Sequence, residues 1–259
     1  MKEVMRNGKR NQKLAPAYRT TCGRMYCGRS EDLLATYPIT RQKGKVQLIF
    51  TSPPFLLNRK KKYGNLEGQE YVEWLSAFAP LLCDYLTKDG SIVIELGNAW
   101  EKGSPTMSTL PMKALLAFQE RANLHLCQEF ICFNPAKLPS PVQWVNVERL
   151  RVKDAFTRVW WMSPVPKPKA DNRNVLTEYS KSMRLLLKKG TYNNGRRPSE
   201  HQIGQKSFLG NNGGAIPPNV LFPSLQEMLP DLFDVLPIAN TCSNDAYQRY
   251  CRTKNIRPH

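Results

Sequence analysis

The tetrapeptide Ser52-Pro53-Pro54-Phe55 brings together a hydroxyl, two rigid residues and an aromatic ring directly after the apolar run 46–50. Because proline fixes φ and has no N–H donor, these four residues cannot continue a sheet or begin a regular helix. We therefore predict a stiff corner at the end of a strand, with a carbonyl that faces no neighbouring strand. Loops in this position are common binding places for ligands.

This 52–55 corner has the groups that would hold a flat, polar, heteroaromatic molecule such as a nucleobase. An exocyclic base amine is a poor nucleophile because its lone pair is delocalised into the ring. Ser52 Oγ and the Pro53 carbonyl could accept hydrogen bonds from the amine and draw its nitrogen toward tetrahedral geometry, while Phe55 stacks on the base. The predicted catalysis is positioning and electrostatics, with the freed lone pair attacking an electrophilic methyl group.

The hydrophobic pattern predicts the elements that position this corner. They are a strand over 46–50, a helix over 70–87, a strand over 91–97, a helix over 109–122 and a strand over 124–133. Apolar residues of the first helix recur at three- and four-residue steps, and Lys88-Asp89-Gly90 is typical of a helix end. This alternation indicates a parallel α/β sheet, whose ligands bind at the carboxyl ends of the strands. Gly97-Asn98 should lie there beside the corner, and a further strand, 156–163, is predicted near the sheet edge.

Composition indicates a basic protein of one large domain, or one domain with an insert. The 259 residues are 41% hydrophobic and carry a net charge of +17. The cations cluster in 1–13, 59–62 and 181–206, and such clusters favour a polyanionic partner, most commonly nucleic acid. Over 188–219 there is no apolar periodicity, so composition leaves open a flexible surface excursion or a segment that reaches DNA phosphates and base edges.

The cysteines and the absence of long apolar runs bear on metal binding and location. Seven cysteines form no dense framework, which favours a reducing compartment. The pairs Cys22/Cys27 and Cys127/Cys132 lack the two-residue spacing of zinc motifs, so we predict buried thiols and no metal. With neither a secretory signal nor an 18-residue apolar run, we expect a cytoplasmic protein without a membrane span.

Seven segments together resemble a known family. They are 25–34, 51–79, 89–97, 133–146, 151–163, 197–221 and 240–251. In this order they are similar to the PvuII-type modification methyltransferases among the β-class DNA amino-methyltransferases, and the Ser-Pro-Pro form of "TSPPF" is typical of the cytosine-N4-specific members. The resemblance implies a Rossmann-like, S-adenosylmethionine-dependent methyltransferase fold with an inserted DNA target-recognition region.

The resemblance also implies an order of segments and an activity. The segments are a basic leader 1–17, a catalytic half 18–134, a target-recognition region with an edge strand 135–221, and 222–259 as an insert plus the start of the cofactor-binding half. The implied reaction transfers a methyl group from S-adenosylmethionine to cytosine N4 in double-stranded DNA, by base flipping and direct displacement. The implied setting is a restriction–modification system.

Site residues follow from the matched motifs. The catalytic motif is the 52–55 corner, and Phe133 is a second stacking candidate, with a core aromatic as its alternative. Candidate contacts to DNA phosphates or bases are Lys137, Arg149, Arg151, Lys153, Arg196 and Arg197. For each of these cations taken alone, a solvated surface charge is the alternative.

Three departures from the family pattern leave alternatives open. The sequence stops at His259 where the family continues into its cofactor motifs, so we expect an incomplete cofactor site and assign no residues to it. Arg29 stands where the family has aspartate, and 222–235 is an apolar insert. The chain could thus need a second polypeptide that supplies the missing segment, or be an inactive remnant or repurposed module that only binds DNA. An adenine-N6 enzyme is the further alternative; a cytosine-C5 enzyme would need a Pro-Cys dipeptide, which is absent.

Overall fold

The computed structural model describes residues 15–55, 66–134, 136–192, 195–196, 198–204, 207–221 and 253. Its strands are β1 (Tyr18–Arg19), β2 (Arg24–Met25), β3 (Val46–Thr51), β4 (Leu86–Gly97), β5 (Ala99–Trp100), β6 (Met107–Ser108), β7 (His125–Phe133), β8 (Phe156–Ser163), β9 (Gly195–Arg196), β10 (Gln202–Ile203) and β11 (Val220–Leu221). Its α-helices are α1 (Ser30–Leu34), α2 (Gly68–Cys83), α3 (Leu110–Arg121) and α4 (Lys181–Lys189). Two 3-10 turns, Ile39–Gln42 and Asn172–Val175, and one π-helical turn, Gln143–Val147, complete the described elements.

The chain divides into two compact units. The first unit comprises Met1–Glu129 and Val159–Lys169, and the second comprises Phe130–Arg158 and Ala170–His259. These bounds differ from the predicted ones. The sequence predicts a catalytic half that ends at residue 134 and a recognition region that includes 159–169. As a functional assignment, the recognition region 135–221 stays a prediction. Most of 222–259 and the leader up to residue 14 lie outside the described residues.

The main sheet has five strands in the hydrogen-bonded order β11-β7-β8-β4-β3. β3 pairs with β4 in parallel, and β11 pairs with β7 in parallel, as predicted for an α/β sheet. The predicted edge position of 156–163 is wrong, because β8 lies between β7 and β4. Consecutive residues Val159 and Trp160, and then Met162 and Ser163, are buried, which is the burial expected of a strand covered on both faces.

The predicted strand 46–50, helix 109–122 and strand 124–133 are confirmed to within two residues. The helix predicted over 70–87 ends earlier, at Cys83, because the Tyr85 carbonyl accepts a hydrogen bond from Val46 N–H at 2.9 Å and so joins the sheet. Lys88-Asp89-Gly90 therefore lies in β4, where the pairing with β3 shifts between Leu86 and Ser91. A Cβ at Gly90 would lie 3.1 Å from the Val46 carbonyl oxygen, so close strand approach, not a helix end, favours glycine there.

The core of the first unit lies between the sheet and the pair α2 and α3. Its most buried side chains come from both helices, β4 and β8, and they are Tyr71, Leu75, Ala79, Ile92, Ile94, Leu96, Ala114, Leu115, Phe118 and Met162. On α2 these residues fall on the predicted apolar face. Burial of each large side chain contributes about 1.5–3 kcal/mol, which fixes the end of β4 relative to α2.

The second unit contains α4 and several short pairings. α4 begins at Ser180, whose hydroxyl accepts from Met183 N–H, and ends at Gly190 in the left-handed conformation. Within 188–219, β9 and β10 pair antiparallel, and Ala215 pairs with Thr177. The described part of that segment is thus paired locally even though it lacks apolar periodicity.

Two further sequence predictions concern thiols and membranes. Cys22 and Cys27 are exposed, so the prediction of buried thiols is wrong for this pair, and the strand residues of the β1–β2 hairpin are exposed as well. Cys127 is half-buried, and burial raises the pKa of its thiol. Among the described residues, no helix has both the length and the apolar character needed to cross a bilayer.

Candidate active site

The 52–55 corner begins directly after Thr51, the last paired residue of β3. The two prolines lack N–H donors, so the strand ladder cannot extend past them. Pro53 is buried and Ser52 is exposed, so the corner is seated in the first unit while its hydroxyl residue remains accessible. This is the stiff corner that the sequence predicts.

Tyr71 on α2 anchors the corner through a hydrogen bond. Its hydroxyl donates a hydrogen bond to the Pro54 carbonyl at 2.8 Å, and its side chain is only 2% exposed. Burial raises the pKa of the Tyr71 phenol well above its ordinary value, so the hydroxyl stays protonated and remains a donor. A buried hydrogen bond of this kind is worth about 1 kcal/mol, and more is lost when the acceptor is left unsatisfied.

Phe55 packs on the end of the neighbouring strand. A Cβ at Gly97, the last residue of β4, would lie 2.7 Å from Phe55 Cδ2, so only glycine admits the ring in this position. Phe55 is half-buried and packs against the core cluster. The predicted neighbourhood of the corner and Gly97 is therefore confirmed. Stacking of Phe55 on a base stays a prediction.

A second tier of contacts links α2 to α1. Trp74 Nε1 donates to Glu31 Oε1 at 3.1 Å, and Arg29 Nη2 lies 3.4 Å from the same oxygen. Burial raises the pKa of Glu31, but hydrogen bonds from its own backbone N–H, Trp74 and Arg29 outweigh this and leave the pKa below its ordinary value. Arg29, the residue that replaces an expected aspartate, thus supports the carboxylate that binds Trp74.

Lys137, a predicted DNA contact, is engaged inside the second unit. Its ammonium lies 2.6 Å from Asp154 Oδ2 and donates to the Phe156 carbonyl at 3.2 Å. Next to it, Asn134 N–H donates to the Ala155 carbonyl at 2.7 Å. The Asp154 side chain is 10% exposed and that of Lys137 is 33% exposed, so the carboxylate is more shielded from water than the ammonium. A DNA contact by Lys137 would compete with this pair or use the remaining donor of the ammonium.

The other predicted contacts differ in exposure. Arg149 and Lys153 are exposed, Arg151 is half-buried, and Phe133 is half-buried at the last position of β7. Arg196 is exposed and pairs with Glu200 at 3.0 Å, while Arg197 lies outside the described residues. Their roles in binding DNA, and the choice between core and stacking for Phe133, stay predictions.

Sequence reasoning missed Tyr71 and Asp154 as partners of the site residues. The signal for Tyr71 was a hydroxyl on an otherwise apolar helix face, because a buried phenol normally has a hydrogen-bond partner. For Asp154 no local signal exists, since its partner Lys137 is seventeen residues away.

Comparison with known proteins gives consistent matches. A family model described as DNA methylase matches residues 46–218. Type II methyltransferase M.PvuII of Proteus hauseri is 42% identical over 246 residues, which cover 94% of this chain and 67% of that protein.

Solved structures match as well. The structure titled PvuII DNA methyltransferase (cytosine-N4-specific) superposes with a TM-score of 0.64 and 35% identity, covering 96% of this chain and 68% of that one. A putative DNA modification methylase from Thermus thermophilus superposes less well, with a TM-score of 0.38 at 18% identity, covering 67% of this chain and 60% of that one.

The family model spans well over half of the chain, and the 42% identical relative is covered over two thirds of its length. The sheet order and the TM-score of 0.64 agree with the Rossmann-like methyltransferase fold that the sequence predicts. The chain belongs to the DNA methylase family of N6- and N4-methyltransferases.

Proposed function

We propose that this chain is a site-specific DNA methyltransferase that transfers a methyl group from S-adenosylmethionine to cytosine N4 in double-stranded DNA. The proposed setting is a restriction–modification system. The observation that carries the proposal is the rigid seat of the 52–55 corner, in which Tyr71 binds the Pro54 carbonyl and Phe55 packs on Gly97. Identity of 42% to a type II methyltransferase and 35% to a cytosine-N4-specific structure supports the chemistry.

The hydrogen-bond acceptors of the corner have two roles: one holds the corner in place and two are available to the substrate. Since Tyr71 binds the Pro54 carbonyl, that oxygen fixes the corner. We assign the Ser52 hydroxyl and the Pro53 carbonyl to the two N–H groups of the cytosine amine. These acceptors localise the nitrogen lone pair and stabilise the positive charge that develops on N4 as the new bond forms, and one N4 proton then leaves along its hydrogen bond at the exposed Ser52 to water. Their fixed positions mean that little reorganisation is needed during the reaction.

The amine of a paired cytosine is engaged inside the duplex, so the proposal includes base flipping. Phe55, held by Gly97, provides a fixed aromatic surface for the extruded base. Phe133 is proposed as a second surface. The proposed contacts to DNA are Arg149, Arg151, Lys153, Arg196 and Arg197. For Lys137 we propose a structural role first, which is its ion pair with Asp154.

S-adenosylmethionine supplies an electrophilic methyl group when it is bound. The described residues do not present a complete set for it: where the resemblance expects an aspartate, Arg29 carries a positive charge and pairs with Glu31 at 3.4 Å. A second cation is a poor neighbour for a sulfonium group. We therefore assign no residue to the cofactor, and the roles of the corner residues do not depend on where it binds.

Methyl transfer to duplex DNA by the purified chain tests the proposal, with the modified nucleosides identified by mass spectrometry. In whichever preparation binds S-adenosylmethionine, the chain alone or the chain with the second polypeptide, we expect N4-methylcytosine from the wild type and a loss of at least about 100-fold in rate for Ser52→Ala with DNA affinity retained. Ser104→Ala, a serine in a surface turn of the first unit, is the control and should keep full rate. Unchanged turnover in Ser52→Ala rejects the assigned role, and N6-methyladenine as the product favours the adenine alternative.

Two wider expectations also belong to the proposal. A DNA substrate requires the protein to share a compartment with DNA, and this supports the predicted cytoplasmic location. A second polypeptide that contributes cofactor-binding residues stays a hypothesis. It predicts that the purified chain gains S-adenosylmethionine binding only when that partner is added, so tight binding by the chain alone would reject it.

A further inference from the structure

Between β7 and β8 the chain forms a loop, 136–154, that presents aliphatic side chains to solvent. Five of them are largely exposed: Leu138 at 80%, Val142 at 59%, Val147 at 64%, Leu150 at 60% and Val152 at 88%. Single exposed aliphatics are common, but five largely exposed ones within fifteen residues are a concentration of apolar surface of the kind that marks interaction sites. The exposure therefore needs a physical explanation.

The 136–154 loop is held by specific bonds at its base and inside it. The Lys137–Asp154 pair and the hydrogen bond from Asn134 N–H to the Ala155 carbonyl close the base, at 2.6 and 2.7 Å. Inside, Leu150 N–H donates to the Trp144 carbonyl at 2.9 Å. These bonds fix the backbone, so the exposed aliphatics are presented by an ordered loop that could enter a partner without a large ordering cost.

The loop also contains a residue in an unfavourable backbone conformation, as is common at binding sites. Arg149 has a φ of 54°, in the left-handed region that non-glycine residues rarely adopt. It follows the π-helical turn and lets the next residue return to Trp144. Arg149 is also exposed, so the strained position presents a guanidinium group on the same loop as the aliphatics.

Charge identifies the kind of partner. The loop has four cations and two acids, and both acids are occupied: Asp154 by Lys137, and Glu148 by Gln143 Nε2 at 2.7 Å. The exposed cations Arg149 and Lys153 stand next to Leu150 and Val152. A second copy of this chain, at a net charge of +17, would be repelled by such a surface, whereas DNA would be attracted.

We propose that the 136–154 loop is a DNA wedge, in which aliphatic side chains including Leu138 and Val152 insert between base pairs while Arg149 and Lys153 bind the flanking phosphates. Aliphatic wedges unstack base steps and kink DNA in other nucleic-acid-binding proteins. The inference rests on the proposed DNA substrate and deepens it, because a wedge lowers the unstacking cost of base extrusion.

The experiment uses the full chain and duplexes that contain 2-aminopurine, whose fluorescence rises when it unstacks. Wild type should raise the fluorescence about twofold or more on binding. The double variant Leu138→Ser, Val152→Ser should lose most of this rise, while its affinity falls by no more than about tenfold. The control is Leu185→Ser on α4, which removes a 67% exposed leucine outside the loop and should keep the rise.

Salt dependence separates the two kinds of contact. Lys153→Gln should reduce the slope of log affinity against log salt by about 1, and the serine double variant should leave the slope unchanged. Thermal melting followed by circular dichroism checks that each variant is folded, which is expected because all the changed side chains are exposed.

Several outcomes would overturn the wedge. One is a wild-type complex that binds the duplex without a rise in fluorescence, and another is a double variant that keeps the rise. A wild-type dimer in sedimentation that the double variant abolishes would assign the surface to a second copy instead. Unstacking without methyl transfer, in a preparation that binds S-adenosylmethionine, would contradict the proposed function and leave the wedge intact, whereas failure to bind any duplex would reject both.

Discussion

The 52–55 corner and the 136–154 loop both follow a strand and both combine proline, apolar residues and nearby cations, yet they are built oppositely. In the corner, Pro53 is buried and Phe55 packs on Gly97, so these two apolar side chains face the core while Pro54 is exposed. In the loop, the aliphatic groups face solvent, and a polar pair, Lys137–Asp154, holds the base. The buried face of α2 supports the corner through Tyr71, whereas the described bonds of the loop are polar ones within the loop and at its base. The corner is suited to holding one small group rigidly, and the loop to contacting a large surface.

The substitution in the corner region from which we expect the largest effect is Gly97→Ala. Its new Cβ would stand 2.7 Å from the Phe55 ring, which would have to move. We expect a loss of about 1–3 kcal/mol in the free energy of unfolding, measured in urea, and a large fall in the methylation rate. Gly23→Ala is the control, because a Cβ there meets nothing within 4 Å. If both variants behave like wild type, the packing of Phe55 on Gly97 does not position the corner.

Tyr71→Phe tests the hydrogen bond to the corner, because it removes only one oxygen atom. The Pro54 carbonyl then loses its donor, which should cost about 1–2 kcal/mol of stability. We expect kcat to fall by about tenfold with the KM for DNA little changed, since the acceptors shift and the DNA contacts do not. Tyr85→Phe is the matched control: it removes a second buried hydroxyl, which donates to the Leu34 carbonyl, so it should lose stability but not kcat. Equal losses of kcat would mean that Tyr71 contributes only to folding.

Lys137→Met tests the ion pair between Lys137 and Asp154 at the base of the 136–154 loop. It leaves the Asp154 carboxylate, 10% exposed, without the ammonium, and we expect a loss of about 1–3 kcal/mol in the free energy of unfolding. Arg196→Gln breaks a pair whose side chains are 69% and 81% exposed, and should change stability by less than about 0.5 kcal/mol. A cycle with Asp154→Asn isolates the coupling. A coupling near zero would contradict the role given to this pair.

The smallest effect concerns Glu31 and depends on pH. Its pKa is lowered in the folded state, so its bonds stabilise the protein above the unfolded pKa, and this contribution is lost as the pH falls through the folded pKa. Glu31→Gln should therefore be less stable at neutral pH and lose less stability on acidification. Urea unfolding at several pH values checks this, with Glu70→Gln, at an exposed position of α2, as the control. Parallel pH curves for wild type and Glu31→Gln would contradict the assignment.

Elements with a strong local pattern were predictable. β3, α3 and β7 follow from apolar runs and periodicity, and the prolines fixed the corner because their effect on the backbone is local. The matched motifs likewise indicated the family before any fold was known. Predictions failed where distant residues compete. The end of α2 depends on Val46 capturing the Tyr85 carbonyl, and the central place of β8 depends on the strands beside it.

By itself, the sequence determined the stiff corner, the alternation of strands and helices and the basic character, because each depends on neighbouring residues or on composition. Only the tertiary structure decided that Tyr71 binds Pro54, that Gly97 receives Phe55, and that Lys137 pairs with Asp154. Such contacts join residues far apart in the chain, and their strength comes from burial, which forms only when the core does.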